Sequence, residues 1–123
     1  MPREKNQPGA TGMLLLSLLS RREMYGYEMI AALRERSNHV FDLKAGTLYP
    51  LLHGLEQRGW VVSRDGEAGG RIRRYYAITA SGRAALQAQK ERWDAYAAGV
   101  RGVLEGGVTC GAWGSAGVPG GCG

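Results

Sequence analysis

The sequence predicts a mainly α-helical fold with a small two-stranded β wing and a long C-terminal helix. Three observations support this fold class. Residues 46–56 place apolar side chains at i, i+3, i+4 and i+7, the spacing of one face of an α-helix. Residues 60–64 and 71–79 have strand-like composition and are separated by glycine-containing turns. Residues 80–105 repeat apolar side chains every seven residues, which indicates a longer amphipathic helix.

Two helices precede this region. Residues 1–11 contain two prolines and mixed charges and are expected to form a flexible arm, followed by a first helix over residues 12–20. A second helix is predicted from about Tyr25 to Arg36. Its buried side is assigned to three residues at three-residue spacing: Tyr27, Ile30 and Leu33.

The third helix has clear start and stop residues. Thr47 is the predicted N-cap, since its hydroxyl can accept a hydrogen bond from a first-turn amide. Pro50 then falls at the third helical position, where its missing N–H removes no intrahelical hydrogen bond. Gly59 is predicted to end the helix in a left-handed conformation.

The wing is predicted as a hairpin with Asp65-Gly66 and Gly69-Gly70 between its strands. Strand alternation assigns Arg71, Arg73 and Tyr75 to one face. The same alternation assigns Ile72, Arg74 and Tyr76 to the other face. Both faces cannot be buried, so at least one faces solvent or a ligand.

The C-terminal helix carries more apolar surface than the small domain before it can cover. Its stripe consists of Leu86, Trp93, Tyr96, Val100 and Val103. We therefore expect a homodimer in which this helix packs on its counterpart, with folding back onto its own domain as the alternative. The expected organisation is a winged domain over 12–79, a dimerisation helix over 80–105 and a disordered glycine-rich tail over 106–123.

Composition limits the function classes. The chain has 123 residues, a net charge of +5 and a pI of about 9.6, which favours phosphate-rich partners. The apolar run 13–19 is too short to span a membrane, so we expect a cytoplasmic protein. The only cysteines, Cys110 and Cys122, lie in the tail and do not form a metal-site pattern. No cofactor, metal site or catalytic residue set is expected, so the chain is not predicted to be an enzyme.

The polar side of the third helix is the predicted reading surface for double-stranded DNA. Its candidate residues are Lys44, Thr47, Tyr49, Pro50 and His53. Tyr49 has the alternative of a half-buried hydroxyl that caps local structure, and His53 that of an ordinary surface histidine. Lys44 can reach a phosphate beside the positive end of the helix dipole.

The basic strand and one tyrosine complete the predicted DNA contacts. Arg71, Arg73 and Arg74 lie within four residues of one another and would repel each other unless an anion lay between them. A solvated charged wing is the alternative. Tyr25 begins the second helix, where it either touches the sugar-phosphate backbone or packs near the turn.

Three blocks of residues together resemble the PadR family of bacterial transcriptional regulators. The blocks are Tyr25-Gly26-Tyr27-Glu28, residues 46–59 beginning Gly-Thr-Leu-Tyr-Pro-Leu-Leu-His, and residues 75–82 beginning Tyr-Tyr-Ala-Ile-Thr. The resemblance covers residues 12–105 and implies a winged helix-turn-helix with a C-terminal dimerisation helix. It further implies a repressor that binds an inverted-repeat operator as a homodimer. Gly54, Ala77 and Ile72 depart from the family pattern in the recognition helix and the wing.

The resemblance also implies a small aromatic or hydrophobic effector. Some relatives are similar in carrying an aromatic residue at the position of Trp93, so Trp93, Tyr96 and Met13 are the candidate contacts. A large anchor in the dimer seam is the alternative role for Trp93. At the level of function, the alternative is a winged-helix protein-interaction module without specific DNA binding.

Overall fold

The computed structural model describes residues 9–106, so the predictions for residues 1–8 and for the tail with its two cysteines lie outside them. Residues 9–11 were predicted as part of the flexible arm and instead begin the first helix. The chain divides into two compact units after Ala88. The helices are α1 (Gly9–Leu19), α2 (Gly26–Arg36), α3 (Ala45–Gln57) and α4 (Ala80–Leu104). The strands are β1 (Met24–Tyr25), β2 (Val61–Ala68) and β3 (Arg71–Ile78).

A single apolar core joins the elements of the first unit. It contains thirteen buried side chains, and no polar or charged side chain among the described residues is buried with them. They are Leu15, Leu16, Leu18, Leu19, Met24, Met29, Leu33, Leu48, Leu52, Leu55, Val61, Tyr76 and Leu86. Four come from α1 alone, because its apolar run is covered on several sides, as expected for a helix at the centre of a small domain.

The sheet has three strands, so the predicted two-stranded wing is corrected. Its order is β1–β3–β2, with both neighbouring pairs antiparallel. The two-residue strand β1 pairs Met24 with Tyr76 and Tyr25 with Tyr75. So short a strand has no periodic signature of its own, since period-2 alternation needs about four residues or more to be read.

The buried side of α2 differs from its prediction. Gly26, Met29 and Leu33 are buried, whereas Tyr27 is 70% exposed and lies outside the core. The prediction counted only large apolar residues at three-residue spacing. A glycine takes the first core position because the ring of Tyr49 from α3 occupies the space where a side chain would lie.

The start of α3 is also corrected. Lys44 is the N-cap, and its carbonyl accepts hydrogen bonds from Thr47 N at 2.9 Å and Leu48 N at 2.9 Å. Thr47 is thus inside the helix, and Pro50 lies in its second turn. A proline there removes the N–H that would donate to the carbonyl of Gly46. The predicted start was wrong because side-chain capping was assumed, and Lys44 makes no side-chain cap.

The end of α3 is as predicted. Gly59 has φ of +79°, and its N–H donates to the carbonyl of Glu56 at 2.9 Å. The next amide, Trp60 N–H, donates to the carbonyl of Leu55 at 3.0 Å. These two hydrogen bonds form a Schellman motif, which ends the helix and directs the chain into β2.

The hairpin turn is formed by Gly69 and Gly70 alone. Their φ values of +61° and +77° fit a two-residue type I′ turn, whose twist matches that of the flanking strands. Asp65 and Gly66, which were also predicted as turn residues, lie within β2 opposite Arg74 and Arg73. The strand β2 therefore continues to Ala68, well beyond the end that the sequence indicated.

Gly70→Ala is expected to destabilise the first unit by about 1 kcal/mol, because a left-handed backbone is unfavourable for alanine by roughly 1–2 kcal/mol. Gly70→Asn should lose less, since asparagine tolerates this conformation. Urea unfolding of the three proteins measures the difference. Equal stability of the alanine and wild-type proteins would show that the turn has another conformation in solution.

Candidate nucleic-acid interface

One face of α3 is buried and the other is open to solvent. Leu48, Leu52 and Leu55 are buried in the core. The residues predicted to read DNA are all exposed: Lys44, Thr47, Tyr49, Pro50 and His53. The helix therefore leaves one face open to solvent, and the DNA major groove admits an α-helix.

Tyr49 joins this surface to the start of α2. Its side chain is 38% exposed. A Cβ atom placed on Gly26 would lie 2.8 Å from Cζ of Tyr49, and closer still to the hydroxyl oxygen. The ring thus rests on the first turn of α2 and remains partly exposed. The hydroxyl end of Tyr49 lies against Gly26, and the contact of Tyr49 with DNA stays a prediction.

The three wing arginines lie on two faces of the hairpin. Arg74 makes an ion pair with Asp65 at 3.5 Å, and its guanidinium donates to Ser63 Oγ at 3.3 Å. Ser63 Oγ in turn donates to the carboxylate of Glu56 on α3 at 2.8 Å. Glu56 therefore anchors the wing to α3. Arg74 has local partners, so its charge does not require an external anion.

Arg73 lies on the opposite face, against aromatic rings. Its guanidinium carbon is 4.3 Å from the ring centroid of Tyr25. The Tyr25 ring meets the Tyr75 ring edge-on, with 5.5 Å between centroids. On the far side, the Arg64 guanidinium lies 5.0 Å from the Tyr75 centroid. Tyr25 thus packs against two side chains of β3, and its contact with the sugar-phosphate backbone stays a prediction.

An acidic residue ends this row of side chains. Glu23 accepts two hydrogen bonds from Arg64, one of them from Nε at 3.1 Å. The hydrogen bond from Arg64 lowers the pKa of Glu23, and the same hydrogen bond raises the pKa of Arg64. We call the five residues Glu23, Arg64, Tyr75, Tyr25 and Arg73 the arginine–tyrosine ladder.

Gly66 explains why the ladder fits on this face. It pairs with Arg73 across the hairpin. A Cβ at Gly66 would lie 2.9 Å from the Tyr75 ring and 2.9 Å from Arg64 Nη1. A glycine inside the strand therefore makes room for the ring and the guanidinium. This role was missed when Gly66 was interpreted as a turn residue.

Sequence reasoning also missed Glu23 and Arg64. They are 41 positions apart, and only the pairing of β1 with β3 and of β3 with β2 brings them together. Arg71, by contrast, is exposed at the start of β3, next to the hairpin turn. Arg71 is therefore the wing arginine most open to a phosphate.

The second unit carries exposed aromatic and aliphatic side chains on α4. The rings of Trp93 and Tyr96 have centroids 5.7 Å apart and are tilted by 37°. The exposed side chains of the stripe, with Leu104 added, are Trp93 at 47%, Tyr96 at 64%, Val100 at 40%, Val103 at 83% and Leu104 at 79%. Leu104 was not included in the prediction, although it continues the same stripe.

Two predicted residues belong to the first unit instead. Leu86 is only 8% exposed and packs in the core, so we leave it out of the predicted dimer seam. Met13 of α1 is partly buried against the same core.

Along residues 9–106 there is no group of three or more His, Cys, Asp or Glu side chains that could hold a metal ion. No helix in this part of the chain is both long and apolar enough to cross a membrane.

Three packed helices, an exposed polar face on the third and an adjoining basic hairpin define the winged helix-turn-helix class of DNA-binding proteins. The sequence matches the model of the transcriptional regulator PadR-like family over residues 15–88. The chain belongs to this family, so it is a PadR-like transcriptional regulator and DNA is its expected partner. Members of the family are transcriptional regulators, which are not enzymes.

Individual transcriptional regulators resemble this chain in sequence and in structure. Transcriptional regulator Rv3488 of Mycobacterium tuberculosis is 49% identical over 53 residues, which are 43% of this chain and 50% of that protein. A PadR family transcriptional regulator from Eggerthella lenta has a similar structure, with a TM-score of 0.68 and 35% identity over 80% of this chain and 84% of its own. A PadR-like transcriptional regulator from Bacillus cereus has a TM-score of 0.71 and 27% identity over 80% and 94% of the two chains.

Proposed function

We propose that this protein is a repressor that binds an inverted-repeat operator as a homodimer. The observation that carries the proposal is the exposed face of α3, where polar and aromatic side chains stand opposite three buried leucines. Residues Thr47, Tyr49 and His53 on this face would contact base edges in the major groove. Lys44 and Arg71 would contact phosphates, which position the helix without reading sequence.

The homodimer is supported by the apolar side chains that α4 exposes. Trp93, Tyr96, Val100 and Val103 are all at least 40% exposed. An apolar stripe of this kind is stable in water when a second copy covers it. We accordingly assign DNA binding to residues 12–79 and dimerisation to residues 80–105, with Leu86 serving the core. Regulation of transcription by such a dimer takes place in the cytoplasm.

The proposed repressor could also be released by a small aromatic effector. The neighbouring rings of Trp93 and Tyr96 provide a flat surface on which an aromatic compound could stack. The contribution of Met13 remains a prediction from sequence. An effector shifts the dimer between two arrangements only by as much as its affinity for them differs. Release is therefore expected only for compounds that prefer one arrangement of the protomers.

The test is fluorescence-anisotropy binding to the DNA immediately upstream of the protein's own gene, with a scrambled duplex as control and a salt series for each. The repressor proposal requires tight binding to the upstream duplex alone and a steep loss of affinity with salt. Equal, weak binding to both duplexes would contradict it.

Tyr49→Ala is expected to weaken operator binding about tenfold or more, since a good base contact contributes about 1–3 kcal/mol of discrimination. Tyr27→Ala is the matched control, because Tyr27 is an exposed tyrosine on α2 that is not assigned to DNA. Thermal unfolding checks that the loss of the contact with Gly26 has not unfolded the domain. If a folded Tyr49→Ala protein binds like wild type, the reading face is assigned incorrectly.

A protein-interaction module without specific DNA binding is the second candidate. The observation in its favour is that Arg73 and Arg74 already have partners within the chain, a tyrosine ring and an aspartate. Their proximity therefore no longer requires a nucleic acid. Arg71→Gln separates the two candidates. Loss of a phosphate contact should lower the salt dependence of DNA affinity by about one unit of slope, and it should weaken binding to both duplexes equally. An unchanged slope favours the interaction module.

A further inference from the structure

We propose that Glu23 is a specificity-determining positioning residue, which acts on DNA through Arg64 and the arginine–tyrosine ladder without touching DNA itself. The inference rests on the proposed function and extends it. Neither Glu23 nor Arg64 is required by the reading helix, and the wing contains another exposed arginine, Arg71, that can contact a phosphate.

The ladder connects the three strands through side chains. Glu23 immediately precedes β1, Arg64 lies on β2, and Tyr75 on β3. Tyr75 pairs with Tyr25 of β1 on one side and with Arg64 of β2 on the other. The ion pair of Glu23 with Arg64 therefore holds the outer strand of the hairpin to the chain segment that leads into α2.

The same ladder fixes the direction of Arg73. The guanidinium of Arg73 lies over Tyr25, and its Nε is buried without a hydrogen-bond partner. Stacking of a guanidinium on an aromatic ring is attractive, so the contact with Tyr25 helps to hold the Arg73 side chain in this position. Tyr25 is held in turn by Tyr75, which Arg64 covers. Loss of the ion pair between Glu23 and Arg64 is thus expected to let the Arg73 side chain and the hairpin move.

Tyr25 also links the ladder to the reading helix. Tyr25 is the N-cap of α2, and its N–H donates to the carboxylate of Glu28 at 3.1 Å. The next residue, Gly26, is the one on which Tyr49 of α3 rests. The position of the wing relative to α3 therefore depends on Tyr25 together with the hydrogen bond from Ser63 to Glu56. This relative position decides whether both elements can contact one site.

Glu23→Gln distinguishes positioning from simple charge, because the two predict opposite results on operator DNA. Removal of one negative charge should strengthen binding to any duplex slightly, through electrostatics that do not depend on sequence. Loss of the positioning role should weaken binding to the upstream duplex and leave binding to the scrambled duplex unchanged. With two cation–π contacts and one aromatic pair loosened, we expect the affinity ratio of upstream to scrambled duplex to fall about five- to tenfold.

Glu67→Gln is the matched control. Glu67 is an exposed carboxylate on the same hairpin, and it lies on the other face, opposite Ile72. Its replacement removes the same charge and leaves the ladder intact. Arg64→Lys is the second variant, because lysine keeps the charge but loses the planar fork that pairs with Glu23 and covers Tyr75.

The experiment measures anisotropy binding of the full chain to both duplexes, with a salt series and thermal unfolding for each variant. The expected result is a reduced ratio for Glu23→Gln and Arg64→Lys, a wild-type ratio for Glu67→Gln and unchanged salt slopes. An unchanged ratio in folded Glu23→Gln and Arg64→Lys overturns the inference, as does an equal fall in Glu67→Gln. A wild-type protein that binds both duplexes equally contradicts the proposed function itself, and the inference then falls with it.

Discussion

Val100→Asp is expected to convert the proposed dimer to a monomer and to weaken operator binding by about 100-fold or more, since linking two binding modules raises avidity by about 10²–10⁴. Val100 lies within the exposed apolar stripe of α4 and is 40% exposed. A carboxylate there would be buried without a partner at the proposed seam, which is strongly unfavourable. Sedimentation gives the oligomeric state, and anisotropy gives the operator affinity.

Ala98→Asp is the control for this prediction. Ala98 is exposed and lies two positions earlier on α4, which rotates it by roughly 200° away from Val100. The same carboxylate in the same helix should then leave both the dimer and its DNA affinity unchanged. A dimeric Val100→Asp protein would show that α4 does not form the seam, whereas dissociation of both variants would indicate general damage to the helix.

Gly82→Ala is expected to destabilise the first unit by about 2–3 kcal/mol, the upper part of the usual range for overpacking. Gly82 is buried in the first turn of α4. A Cβ there would lie 2.8 Å from Ile78 Cγ1 and even closer to the carbonyl oxygen of Trp60. The Gly82 N–H donates to Thr79 Oγ1 at 3.0 Å, which restrains this turn from moving away. The backbone of Trp60 must therefore shift.

Differential scanning calorimetry measures this loss as a fall in Tm of about 10–20 °C for a domain of this size. Gly54→Ala is the matched control, because Gly54 is also helical and a Cβ added there would meet no atom within 4 Å. That variant should gain up to about 1 kcal/mol from the higher helix propensity of alanine. If Gly82→Ala unfolds like wild type, the close approach of α4 to Trp60 is absent in solution.

The helices were predictable because each has a local signature. The leucines of α3 recur at helical spacing, and all three that the core buries were in the predicted stripe. Gly59 ends α3 by its left-handed backbone, which depends on the residue type at that one position. The start of α3 was less predictable, since a backbone N-cap such as Lys44 leaves no side-chain pattern to recognise.

The sheet was predicted incompletely for a related reason. A strand of two residues, Met24–Tyr25, is formed by its pairing with β3 and not by its own composition. The prediction of a turn at Asp65-Gly66 was wrong because Gly66 lies within β2, where it makes room for the neighbouring side chains. Gly66 lies under the ring of Tyr75, and only the hairpin register brings the two together.

The helical spacing, the Gly69-Gly70 turn, the basic wing and the motifs of the PadR-like family were predictable from the amino-acid sequence, because each depends on residues that are close in the chain. The pairing of charges was not predictable in this way, since it follows from three-dimensional packing. Arg74 pairs with Asp65, Arg64 pairs with Glu23, and Arg73 stacks on the ring of Tyr25. Pairing of this kind depends on strand register over tens of residues, where a shift of one position would turn each side chain to the opposite face.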